Sequence, residues 1–142
     1  MMIRKLFPLF LLLLLLPAIA HAQQETVYPI DKALDACTDK DPSTNGTIQC
    51  TARAQEMWDK ELNRNYNSLM GQLNPQGKQA LKAAQLDWLK YRDTEFKLID
   101  NLYSNLQGTM YLPMLAYDQM SIVKKRALEL KAYLDLLKDG RD

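Results

Sequence analysis

The sequence predicts an all-α fold, an antiparallel bundle of three long helices with an irregular, disulfide-tied N-terminal segment. Apolar residues recur at three- and four-residue steps from Thr51 almost to the C-terminus, the spacing of one helix face. Nothing between Thr51 and Lys138 alternates with period two over a useful length, so strands have no footing. Breaks at Asn74-Pro75-Gln76-Gly77 and at Gly108 divide the run into three.

Residues 1–22 read as a signal peptide. Arg4 and Lys5 lead into the apolar run Leu9 to Leu16, and Ala20-His21-Ala22 is a small-x-small cleavage signal. The run is shorter than the roughly 20 residues a membrane span needs. The residue just after the cleavage site is Gln23 and not a cysteine, so no lipoprotein anchor is expected. The mature chain, from about Gln23, is expected to be soluble and periplasmic or secreted. Residues 23–50 form the irregular segment and residues 51–138 the helical domain.

Processing removes His21, the only histidine, together with Arg4 and Lys5. It takes the basic count from 18 to 16 against 17 acids, a net charge of about −1 instead of +1. That balance argues against recruitment to nucleic acid or an anionic membrane by bulk charge. The remaining length suits one domain.

In the N-terminal segment Pro29, Pro42, Asn45 and Gly46 act as punctuation, with room for a short helix around Asp31 to Ala36. Cys37 and Cys50 are the only cysteines, and an exported pair is expected to oxidise. A bridged loop of about 15 residues is worth about 3 kcal/mol on a chain-entropy estimate. The alternatives are two free thiols or a metal pair, but a metal would want further Cys or His ligands and the mature chain has none to add.

The first long helix carries Ala54, Met57, Trp58, Leu62, Tyr66, Leu69 and Leu73 on one stripe. Asn74 then suits an N-cap and Pro75 the first helical position, so the residues that end one helix start the next. The second stripe is Leu81, Ala84, Trp88, Tyr91, Glu95, Ile99 and Leu102, widened by Leu89 and Phe96. Beyond Gly108, with Pro113 in the first turn, Met114, Tyr117, Met120, Val123, Ala127, Leu130, Tyr133 and Leu137 form the third.

The stretch Asp41 to Ile48 partly reproduces a calcium loop, with oxygen side chains at its first, third and fifth places, glycine at the sixth and isoleucine at the eighth. Its twelfth place is Ala52, where a bidentate Glu is needed. It therefore reads as a turn and N-cap, and no metal or other cofactor is expected. Asn45-Gly46-Thr47 also matches a glycosylation sequon, relevant only in a glycosylating secretory pathway.

A Ser-His-Asp or Cys-His unit lacks its base once His21 is gone, and no Gly-rich loop follows a strand. Paired carboxylates are the one acid–base option left, drawn from Glu56, Asp59, Glu61, Asp87, Asp93 and Glu95. Acids at helical spacing are usually a solvated face, so no catalytic residue is assigned and a non-enzyme is expected.

Polar residues on the stripes are more specific. Asp59 and Asn63 stand one turn apart beside Leu62 and Tyr66, and Gln85, Trp88 and Arg92 share one face of the second helix. A guanidinium beside a tryptophan, facing an acid and an amide on a neighbouring helix, reads as a satisfied network across the bundle. The alternative is that Arg92 and Asp93 face a partner.

At these residues the chain resembles the LprI-like N-terminal domain family, named after a mycobacterial lysozyme inhibitor. The motifs are Asp59-x-x-Leu62-Asn63-x-x-Tyr66-x-x-Leu69, then Leu81-x-x-Ala84-Gln85-x-x-Trp88-x-x-Tyr91-Arg92-Asp93, and Arg126-x-x-Glu129-Leu130, within about Cys37 to Leu130. The resemblance implies a small exported helical protein and carries over the Cys37 and Cys50 pair. It also implies two further cysteines, at places taken here by Phe96 and Asp118, so the loop Asn101 to Pro113 is expected to be less tethered.

The family implies a non-enzymatic protein-binding role, with lysozyme as the candidate partner. Occluding a basic glycan hydrolase calls for an acidic surface, and Asp35, Asp39 and Asp41 are the best local cluster. Their plain alternative is an ordinary solvated loop. A second expectation is an envelope adaptor that binds another exported protein through the Tyr103 to Tyr117 region. A third, weaker one is a carboxylate glycan hydrolase.

Overall fold

The computed structural model describes residues 27–140, and the expected signal peptide lies outside them. Four helices follow in order, α1 (Pro29–Lys40), α2 (Thr44–Gln72), α3 (Pro75–Ser104) and α4 (Tyr111–Asp139). Among the described residues the all-helical class stands, but four helices replace the expected three, because the described part of the N-terminal segment is mostly helical. Pro29 enters α1 at its first turn, where a missing N–H costs nothing. Ser43 caps α2 well before Thr51, its Oγ accepting from Gly46 N at 3.0 Å. Asn45 and Gly46 are tolerated in that opening turn because its N–H groups have no intrahelical carbonyl to meet.

Asn74 caps α3 by accepting from Gly77 N at 2.8 Å, with Pro75 in the first turn, so α3 turns back along α2. The α3–α4 link contains Gly108 at φ +106°, a conformation that a side chain would strain.

The main seam is α2 against α4, with α1 folded back along α2. Ala54, Trp58, Leu62 and Leu69 of α2 meet Met120, Val123, Ala127, Leu130 and Leu134 of α4. Trp58, Leu62, Met120 and Leu130 are wholly buried. Tyr28 stands edge-on to Trp58 at a centroid distance of 5.6 Å, and Lys124 Nζ lies 5.5 Å from the Trp58 ring while pairing with Asp31 at 2.7 Å.

Two of the expected stripes are displaced. On α3 only Leu81 is buried, while Tyr91 and Leu102 are exposed. The reason is that α3 stands off from the main pair, leaving open grooves beside it. On α4, Met114, Tyr117 and Tyr133 are exposed, and Ile122 and Leu134 turn inward instead.

Candidate functional site

A groove runs between α2 and α3, and six of the sequence-selected residues line it: Asp59, Asn63 and Tyr66 from α2, Gln85, Trp88 and Arg92 from α3. It holds about 260 Å³ and continues past Arg92 towards Glu56, Lys60 and Phe96. The helical period aligns each set, since residues three and four apart share a face.

Within the groove the polar groups pair along each helix. Asn63 Nδ2 donates to Asp59 Oδ2 at 3.1 Å and to the Asp59 carbonyl at 2.9 Å. The Arg92 guanidinium lies 5.5 Å from the Trp88 ring centre and donates to Asp93 Oδ1, its nearest bond being 2.6 Å. The acid facing Arg92 is thus its own neighbour rather than Asp59 across the bundle. The cross-bundle bond belongs to Arg126, whose Nε donates to Gln85 Oε1 at 3.1 Å.

Arg126 is 7% exposed. Its Nη1 donates to Glu129 Oε2 at 2.6 Å, and Tyr133 Oη donates to Glu129 Oε1 at 2.9 Å. Partial burial alone would raise the Glu129 pKa, but the bonds from Arg126 and Tyr133 and the guanidinium charge outweigh it and leave the carboxyl below its usual range.

Cys37 and Cys50 form a disulfide that ties α1 to α2, with Cα atoms 5.7 Å apart. Asp35 and Asp39 are exposed on α1, and Asp41 is exposed in the turn that follows. Asp41 Oδ1 accepts from Ser43 Oγ at 2.6 Å and Ser43 N at 3.2 Å, which lowers its pKa. A Cβ on Gly46 would meet the Asp41 carboxyl at 2.2 Å, so this stretch is a tightly wound cap. Among the described residues no cluster of three or more His, Cys, Asp or Glu side chains could hold a metal, and no helix is long and apolar enough to cross a membrane.

Sequence reasoning missed Asn65, buried in the main seam, with Nδ2 donating to the Ala127 carbonyl at 3.0 Å. Its spacing from Leu62 and Leu69 carried the signal, since three- and four-residue steps put it on the core stripe. The Lys124–Asp31 pair had no comparable signal.

The family model for lysozyme inhibitor LprI matches residues 37–130. The chain belongs to the lysozyme inhibitor LprI family. The LprI match encloses the disulfide, the α2–α3 groove and Arg126 with Glu129. Among solved structures, the chain is similar to an uncharacterized protein from Burkholderia thailandensis, with 31% identity and a TM-score of 0.72 over 78% of this chain. The match covers 55% of that longer protein. No curated protein matches the chain.

Proposed function

We propose that this is an exported, non-enzymatic binding protein that occludes lysozyme-type peptidoglycan hydrolases, acting in the periplasm or outside the cell. The LprI family match over residues 37–130 carries this reading. The Cys37–Cys50 disulfide supports export, since such bridges persist in oxidising compartments. Asp35, Asp39 and Asp41 form the proposed contact surface, exposed around the end of α1 and complementary in sign to a basic enzyme. The test is binding of the oxidised protein to c-type, g-type and i-type lysozymes at two salt concentrations, with a cell-wall lysis assay. Salt-sensitive binding with blocked lysis is expected, weakened by Asp35→Lys with Asp39→Lys. Asp41 is left intact because it holds Ser43. Binding that ignores the double reversal would move the contact elsewhere, and no binding to any lysozyme would remove the inhibitor reading.

A second reading has one observation in its favour. Leu106, Met110, Leu112, Met114 and Tyr117 are exposed around the α3–α4 link, Met110 at 67%. Aromatic and methionine side chains are enriched at protein interfaces, which suits an envelope adaptor. A pull-down from envelope extract that loses its partner in Met110→Asp with Met114→Asp would support it.

A further inference from the structure

A second cleft opens at the end of the bundle where α2 turns into α3, between α3 and α4. Its volume is about 370 Å³ and its walls are almost entirely apolar, among them Leu73, Leu81, Ala84 and Leu136. Leu136 is 68% exposed and Tyr133 44%, so apolar surface stands open there without cover from the described residues. Among the described residues Arg126 is the one charged residue that lines the cleft. Its Nε and Nη1 are committed to Gln85 and Glu129, while Nη2 is buried and has no hydrogen-bond partner among the described residues. A buried charged donor left unmet is costly, and an anionic oxygen would relieve it.

We propose that this cleft binds a free single-chain amphiphile of the fatty-acid class. Its carboxylate would meet Arg126 Nη2 once a small shift of the guanidinium uncovers that nitrogen, and its chain would lie along Leu81, Ala84 and Leu136. Three features select that chemistry. One free guanidinium nitrogen asks for one oxygen, not the multiple contacts of a phosphate. Glu129 already neutralises part of the charge, which favours a monoanion. The volume sits at the small end of the ligand-pocket range of about 300–1,000 Å³, so it suits one short chain better than a two-chain lipid.

The test is titration of the purified, oxidised protein at pH 8 with dodecanoate below its micelle concentration, followed by calorimetry, with dodecanol in parallel. Saturable 1:1 binding is expected, at least tenfold weaker for the alcohol. Ala84 is exposed, so Ala84→Trp should fold and fill the cleft, and binding to it should be lost. Arg126→Gln risks unfolding, so the head group is read from the alcohol instead. No saturable binding would overturn the proposal, as would equal affinity for the alcohol or undiminished binding to a folded Ala84→Trp.

Discussion

Asn65 Nδ2 donates across the buried α2–α4 seam to the carbonyl oxygen of Ala127 at 3.0 Å, where Asn65 is 6% exposed and Ala127 wholly buried. A carbonyl has two lone pairs, so this oxygen can accept from Asn65 and still serve its own helix. The bond fixes the relative register of two helices whose other contacts are largely non-directional. Asn65→Ala should therefore lower stability by about 1–3 kcal/mol, read as a lower urea midpoint with an unchanged slope. Asn65→Asp should cost more, because an acceptor would then face an acceptor. A neutral result for both would deny the bond a role in holding the seam.

Arg126 and Arg92 should respond differently to removal. Arg126 is buried and spans helices, whereas the Arg92 side chain is 26% exposed and pairs with Asp93, itself 59% exposed. Exposed pairs contribute about 0–1 kcal/mol. Arg126→Met should lower Tm by several degrees and Arg92→Met by little, compared by thermal melts in one buffer. Loss of partner binding by a stable Arg92→Met protein would place Arg92 at a contact surface.

The residues that were legible in the sequence were those whose spacing decides their surroundings. Ala54, Trp58, Leu62 and Leu69 recur with the helical period and form the core, and Asn74-Pro75 carries its own capping chemistry. Asn45 and Gly46 misled because a residue that breaks a helix interior is harmless in a first turn. The α3 stripe misled for another reason: amphipathic spacing reveals a face, not the distance to the helix opposite. Tyr91 and Leu102 fit the stripe yet remain exposed. The groove residues were recognisable as a set, but periodicity could not say whether Arg92 or Arg126 would cross the bundle.

Reduction offers a test of the α1–α2 junction. The Cys37–Cys50 bridge closes a span of 13 residues, for which the chain-entropy model gives about 3 kcal/mol. Cys37→Ser with Cys50→Ser should lose a comparable amount in denaturant titration. The loss should be concentrated in α1, whose residues are nowhere fully buried. Hydrogen exchange should therefore rise first in Pro29–Lys40, while the α2–α4 seam keeps its protection. Uniform loss of protection would mean that α1 is required by the whole bundle.

The α3–α4 link is held by side-chain hydrogen bonds, with Phe96 and Asp118 at the two places where the family resemblance implies cysteines. Tyr103 Oη donates to Asp118 Oδ2 at 2.7 Å, and Gln119 Nε2 donates to Asp100 Oδ1 at 2.8 Å. The bond to Asp118, with partial burial and the nearby negative charge, raises the Tyr103 pKa above 10.0. A folded pKa above the unfolded one means that the stabilisation is complete below about pH 10 and disappears as pH rises through the folded value. Tyr103 and Tyr133 should both ionise above the ordinary tyrosine range in an ultraviolet titration, since Tyr133 is likewise raised by its bond to Glu129. Asp118→Asn should return Tyr103 alone to the ordinary range and speed amide exchange around Gly108. An unaltered titration curve would mean that the hydroxyl and carboxylate do not hold the link together in solution.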